Sequence, residues 1–419
     1  MKEELKVLPN GLRVMLVPCE AESVAVGVFV ASGSRHETAK TAGISHFIEH
    51  MLFKGTPTRS PIDITRAIEG RGGNFNACTG EESTCYFAHL PCEYVSEAVD
   101  ILADMYLNAT IPDDEFAREK QVVIEEIRMY ADDPESVVTE NLQRSLFPGD
   151  TLGAPVAGTP ESLAPMTPDD LRDYIAAHYV AARTVVVLVG AFDPEKALKD
   201  VARRFASLGG PRVRRASRAP RFRPPVPEVT VRKDVQQVQL ALGYRTFGLD
   251  DDRSYAASLM DAVLGRGMMS RLFQQVRERR GLSYDIASRY QCFSNAGMFT
   301  VTAGIAPANC KKTLETVDRE LARIRSRPVP AAELERTKEF ITGNFRLAHE
   351  RITSKMFFYG NSVLNFGRAF SPRSQVEKIR AVTARDVQAV ANDILDPGRR
   401  AVSWVLPQES PQIGKARRD

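Results

Sequence analysis

Residues 10–33 read NGLRVMLVPCEAESVAVGVFVASG. Behind the Asn10-Gly11 turn pair, Leu12–Val17 alternates, and Val24–Val30 is a run of small and β-branched residues, which predicts two consecutive strands. Gly33 breaks the second run. Gly43 precedes a helix-patterned stretch from about Ser45 to Phe53, and Pro61 opens a second helix (PIDITRAIEGRGG) that Gly72-Gly73 ends. Asn74–Thr79 and Ser83–His89 read as a strand pair around the Gly80 turn. Helices are expected over 93–107 and 115–130, the latter with Asp113 or Asp114 placed to accept its first free amides. A helix near 168–178, a strand over Thr184–Gly190 and a helix over 194–208 complete this half.

The second half repeats the alternation loosely. Strands are expected at 228–232, 238–244, 283–290, 298–303 and 400–405, with helices at 254–264, 270–279, 309–325, 331–349 and 383–394. The expected fold is α+β: two similar domains, each a largely antiparallel sheet covered on one face by helices. A Pro/Arg-rich stretch over 211–228 divides them, leaving domains of 1–210 and 229–419.

Length supports that division, since 419 residues exceed one ordinary core and suit two domains of about 200. The 56 basic and 53 acidic residues give a net charge of +3, which makes no case for a nucleic-acid partner. The Arg-rich stretch reads as a solvated linker, because neither a basic helix nor an aromatic-studded strand organises it. No run approaches the roughly 18 apolar residues of a membrane span. The start, MKEELKVLPNGLRV, is neither a secretory signal nor a transit peptide, so a cytoplasmic protein or an already processed chain is expected. Six cysteines in this length are no disulfide framework. Cys78, Cys85 and Cys92 recur every seven residues rather than the two to four usual for thiolate zinc sites, and read as buried small hydrophobes.

The chemistry is concentrated in GISHFIEHMLFKGT, residues 43–56. On a helix, His46 and His50 lie one above the other and can grip one ion, while Glu49 reaches the same side without entering its coordination shell. His-x-x-Glu-His inverts the commoner His-Glu-x-x-His and supplies the same parts. Imidazoles suit zinc, an open position would hold a water of lowered pKa, and a nearby carboxylate could take its proton. With six histidines, an accidental match is expected only about 0.006 times in such a chain. A catalytic zinc wants a third protein ligand. The helix FAREKQVVIEEIRMY offers Glu119, Glu125 and Glu126. Glu119 and Glu126 are two turns apart on a face that Val122, Val123 and Ile127 mark as inward, and Glu125 is turned by about 100°.

These stretches together resemble the pitrilysin–insulinase family of inverzincin metallopeptidases. The likeness is greatest to its short-chain branch, which includes the mitochondrial processing peptidase β subunit and its bacterial homologues. The resemblance spans roughly residues 5–405 and implies two related domains and a zinc ion, Zn2+, as cofactor. It implies His46, His50 and Glu126 as metal ligands, Glu49 as general base and Glu119 as outer-shell partner. In GGNFNACTGEESTCYF, it implies that Asn76 and Ala77 of an edge strand bind an extended peptide by strand addition. In LGRGMMSRLFQQVRERRGLSYDI it implies that Arg277 and Tyr284 steady the substrate carbonyl. Arg266 departs from the glycine run of relatives. The expected function is a zinc-dependent endopeptidase acting on peptides or unfolded polypeptide inside a homodimeric chamber, with residues 229–419 contributing in trans. The alternative is a catalytically silent scaffold or partner subunit of a heteromeric processing peptidase.

Overall fold

The computed structural model describes residues 3–210 and 223–408, so most of the Pro/Arg-rich linker lies outside the described residues. The first sheet contains β1 (Glu4–Val7), β2 (Arg13–Pro18), β3 (Ser23–Val30), β4 (Asn74–Thr79), β5 (Thr84–Pro91) and β6 (Thr184–Gly190). Their order is β1-β2-β6-β3-β5-β4. Only β2 and β6 run parallel; the other neighbours are antiparallel. The second sheet contains β7 (Glu228–Lys233), β8 (Val238–Thr246), β9 (Ser283–Cys292), β10 (Gly297–Ile305) and β11 (Ala401–Pro407), in the order β7-β11-β8-β10-β9. Again one pair, β7 and β11, is parallel. Leaving out β1, the two wirings are the same: first strand, last, second, fourth, third. That identity of topology makes the two halves similar domains, although their sequences barely show it.

The period-2 alternation of the strands sorts their side chains onto two faces. Val14, Leu16, Val24, Val26, Val28, Val186 and Leu188 enter one core with Phe47, Ile48, Val99 and Leu102 from helices Ile44–Met51 and Val95–Asn108. Met15, Val17, Phe29, Val185, Val187 and Val189 enter a second core on the opposite face, against Met356, Tyr359, Val363 and Leu364 of helix Ile352–Phe366. β6 is consequently buried along its whole length, which explains why TVVVLVG is apolar throughout rather than alternating. Close approach is secured by glycine. A Cβ on Gly360 would lie 2.4 Å from the Phe29 ring, and one on Gly27 would lie 2.8 Å from Met356 Sδ.

The second sheet is also covered twice. Helices Ser254–Gly265, Cys310–Ser326 and Ala384–Ile394 line one face. Val138, Leu142 and Leu146 of helix Pro134–Leu146 pack on the other against Ala241, Ala401 and Val405. Each sheet therefore has helices on both faces, where the sequence suggested one.

The compact units differ from contiguous halves for this reason. The first gathers residues up to Arg128, the described stretch from Ala154 to 210, and Phe345–Ser371. The second takes Met129–Gly153, the described residues from 223 to Asn344, and the stretch from Pro372 onward. Helices Pro134–Leu146 and Ile352–Phe366 are thus exchanged between sequence halves, each supplying the second cover for the other half's sheet. Among the described residues, no helix is long and apolar enough to cross a membrane.

Candidate metal centre

Helix Ile44–Met51 buries Ile44, Phe47, Ile48 and Met51, the i, i+3, i+4, i+7 stripe, and so turns His46 and His50 to the opposite side. Its start is built with care. Gly43 has φ +93°, and a Cβ there would stand 2.6 Å from the Ala157 carbonyl oxygen. The first amides have no local side-chain cap; instead Glu37, buried beneath, accepts from Gly43 N–H (2.7 Å, Oε2) and Ser45 N–H (2.8 Å, Oε1). A carboxylate there also opposes the positive end of the helix dipole. Burial pushes the Glu37 carboxyl above its ordinary value, against the two amide bonds that hold it down.

Glu37 was not legible as a functional residue, because six residues separate it from the helix it caps. Glu37→Ala is expected to cost about 2 kcal/mol of stability, from two orphaned buried amides. Urea unfolding of the first unit's signal would show it; an unchanged midpoint would mean that solvent replaces the carboxylate freely.

Helix Asp113–Asp132 meets the histidine helix through a stacked pair, Phe47 and Phe116, with ring centroids 4.8 Å apart. Phe116, Glu119 and Val123 are its buried residues. Glu119 and Glu126 point to the histidines, whereas Glu125 faces outward, 66% exposed and paired with Arg128 at 2.5 Å. Val122, expected inward, is 51% exposed; the inward face is narrower than the sequence suggested and centres on Val123.

Glu126 Oε2 lies 3.4 Å from His50 Nε2 and 3.8 Å from His46 Nε2. One donor atom from each of the three falls within 4.8 Å of the others. Two ligands held about 2.1 Å from one zinc at tetrahedral angles stand about 3.4 Å apart, so this donor set fits the ion. The His46 and His50 rings meet edge to face, 4.7 Å apart. Burial, with His50 beside it, lowers the His46 pKa to about 4, which keeps its imidazole neutral as a ligand must be. His50 differs. Its Nδ1 lies 2.9 Å from Glu119 Oε1, and although burial pulls its pKa down, the Glu119 carboxylate, with Glu126 and Glu49 adding to it, holds it above the ordinary value. Burial likewise pushes Glu119 up, but His50 and Lys54 together hold it below the usual carboxylate range. His46 Nδ1 is buried and has no hydrogen-bond partner among the described residues.

Glu49 stands beside this set rather than in it. Its Oε2 accepts from the Thr79 hydroxyl, and burial raises its pKa above the ordinary value. Thr79 is the last residue of β4, which lies at the end of its sheet and among the described residues is paired along one side only, by β5. Asn76 and Ala77 lie on this edge strand, where Asn76 Oδ1 accepts from the Ala77 amide at 2.8 Å. Cys78 sits directly across from Cys85. Of the heptad-spaced cysteines only Cys85 is buried, while Cys78 is exposed and Cys92 half-buried, so the expectation of three buried thiols is corrected by the edge position of β4.

In the second unit, Arg277 lies on the π-helical turn Phe273–Glu278 and Tyr284 at the start of β9. The two meet: the guanidinium lies 5.2 Å from the Tyr284 ring centre and 4.8 Å from that of Phe273. Tyr284 is 77% exposed, an unusual position for a large aromatic residue. Arg266, at the departure from the glycine run, follows helix Ser254–Gly265 and faces Asp261 at 3.7 Å.

Comparison with known proteins places these features in a family. Residues 13–160 match the family model described as insulinase (peptidase family M16), and residues 165–341 match that described as the peptidase M16 inactive domain. A Bacillus subtilis protein named "Uncharacterized zinc protease YmxG" is 35% identical over 386 residues, covering 92% of this chain and 94% of its own. A Mycobacterium tuberculosis protein, also named an uncharacterized zinc protease, is 37% identical over 402 residues, covering 93% and 90%. The fold is shared with the crystal structure of a protease from Helicobacter pylori, at TM-score 0.89, 22% identity and coverage of 97% and 99%. It is also shared with that of a peptidase M16 inactive domain from Pseudomonas fluorescens, at TM-score 0.90, 20% identity and coverage of 98% and 99%. With its two M16 domains, a His-x-x-Glu-His helix and relatives named zinc proteases along nearly its full length, the chain belongs to the insulinase family of peptidases, family M16.

Proposed function

We propose that this protein is a zinc-dependent endopeptidase that hydrolyses unstructured peptides inside a dimeric chamber. The observation that carries the reading is the convergence of His46, His50 and Glu126 donor atoms, with Glu49 beside them and outside the set. Zinc held by these residues would supply a Lewis acid for the scissile carbonyl and a lowered pKa for water. Glu49, its carboxyl raised by burial, takes a proton from the attacking water and hands it to the departing amide nitrogen. Glu119 orients His50 through Nδ1.

Substrate enters as a strand along β4. Asn76 and Ala77 would pair with its backbone, and the Asn76 carboxamide now on the Ala77 amide is a local partner that an incoming carbonyl would displace. Such pairing reads backbone rather than side chains, so an unfolded segment is needed. The first domain is the catalytic one. The second contributes Arg277 and Tyr284, which steady the substrate carbonyl in trans within a homodimer; their stacking keeps a half-buried arginine in one place.

Stripping the metal with a strong chelator is expected to abolish cleavage of a quenched unstructured peptide, and zinc to restore it. A folded protein of the same sequence content should stay intact. Equal cleavage after metal removal would contradict the reading. Full specific activity from monomers at nanomolar concentration would overturn the homodimer, and zinc retained without cleavage would point to a silent partner subunit.

A further inference from the structure

His46, His50 and Lys54 are spaced four residues apart, so Lys54 continues the ligand stripe beyond the end of the helix at Met51. Its backbone amide bonds the Met51 carbonyl at 3.1 Å, which keeps the chain coiled through the turn. Its ammonium lies 2.6 Å from Glu119 Oε2, while Glu119 Oε1 lies 2.9 Å from His50 Nδ1. Glu119 has only 9% of its side chain exposed and is clamped at both oxygens.

We propose that Lys54 is a positioning residue for the metal centre, acting through Glu119 on His50. The inference rests on the metal-centre reading above and extends it to a residue outside the ligand set. Three carboxylates, Glu49, Glu119 and Glu126, gather around two imidazoles, and a nearly buried carboxylate is costly unless paired. Lys54 supplies that pairing. An ammonium only donates, so Oε2 is committed as an acceptor and the carboxylate cannot swing away from the helix. Oε1 then faces His50 Nδ1, which must carry the ring proton to make its bond. In the neutral ring that a metal requires, this leaves Nε2 bare, and Nε2 is the nitrogen that faces Glu126. Since His46 Nδ1 has no hydrogen-bond partner among the described residues, His50 is the imidazole whose orientation is fixed from outside.

The test is zinc affinity of the purified full chain, read by competition with a chromophoric chelator, with no substrate present. Lys54→Met is expected to weaken binding by about 10- to 100-fold, the range typical of outer-shell losses. Lys54→Arg should recover affinity to within about 3-fold, since it restores a cation at the same carboxylate. In a Glu119→Gln background, Lys54→Met should add less than about 2-fold, as two changes on one path are not additive. The visible bands of the cobalt-loaded Lys54→Met chain should shift from the parent's, which a merely structural role would not cause. Should the Met chain not fold, Lys54→Gln carries the same readouts. Affinity of Lys54→Met within about 3-fold of the parent, or an undiminished loss in the Glu119→Gln background, overturns the proposal. Because no turnover is read, a chain that binds zinc yet cleaves nothing still answers the question. A parent chain that binds no zinc overturns the metal centre and this inference together.

Discussion

A Glu49→Gln chain is expected to retain about one zinc per chain and to lose peptide turnover by roughly 10³-fold, within the range that a positioned proton-transfer group contributes. The donor atoms that converge belong to His46, His50 and Glu126, and Glu49 is not among them. Glutamine keeps the size of the side chain, and its carbonyl oxygen can still accept from the Thr79 hydroxyl that now holds the carboxylate. What disappears is the ability to accept a proton from water. Loss of activity with unchanged zinc would therefore isolate the base. Activity within a few-fold of the parent would show that Glu49 is not the base, and loss of zinc alongside activity would place it in the ligand set. Metal analysis and single-turnover cleavage of a quenched peptide, run on the same preparations, decide among these.

The second large effect concerns the proposed third ligand. Glu126→Ala is expected to weaken zinc binding by more than about 100-fold, beyond the span seen when only an outer-shell partner is lost. Glu126 Oε2 is the oxygen that approaches both imidazoles, at 3.4 and 3.8 Å. Its immediate neighbour supplies the control. Glu125 is 66% exposed and engaged with Arg128, so Glu125→Ala should leave zinc affinity and cleavage unchanged. A single residue along a helix turns the side chain by about 100°, and that rotation separates the proposed ligand from a surface charge. Calorimetric titration of metal-free chains would read both variants. Equal affinities for the two would remove Glu126 from the site.

Much of this site is open to a reader of the sequence because helical periodicity is a local property. His46 and His50 share a face by spacing alone, and Glu119 and Glu126 share another. Choosing Glu126 as ligand over Glu119 rests on the family resemblance, since periodicity treats them alike. Glu37, Thr79 and Lys54 are harder. Glu37 and Thr79 reach the histidine helix from a preceding turn and a distant strand, and only the folded chain brings them there. Lys54 shares the spacing of the histidines, but a lysine at a helix end usually reads as a solvated charge.

The fold divides in the same way. Most strands follow from alternation and from buried runs such as TVVVLVG, but their order in the sheets and the first strand, Glu4–Val7, come only from the folded chain. The exchanged helices do not emerge so readily. Ile352–Phe366 reads ITSKMFFYGNSVLNF, rich in aromatic and β-branched residues with a glycine near its middle, so propensity and periodicity both speak weakly for a helix. That glycine is needed for contact, since Phe29 of β3 fills the space where its side chain would be. Pro134–Leu146 carries a clearer signal: Asp133 caps it, Pro134 begins it, and Val138, Leu142 and Leu146 make a four-residue stripe. No local rule says which sheet such a stripe will cover. Membership in the second unit is a long-range outcome, which is why a division at the linker alone misplaces both helices.

The most direct test of the metal centre is anomalous diffraction from a crystal of the zinc-loaded chain, collected on either side of the zinc edge. The account predicts one strong peak about 2.0–2.2 Å from His46 Nε2, His50 Nε2 and a Glu126 oxygen, with Glu49 close by but beyond bonding distance. A peak bound elsewhere, or none among these residues at full loading, would contradict it.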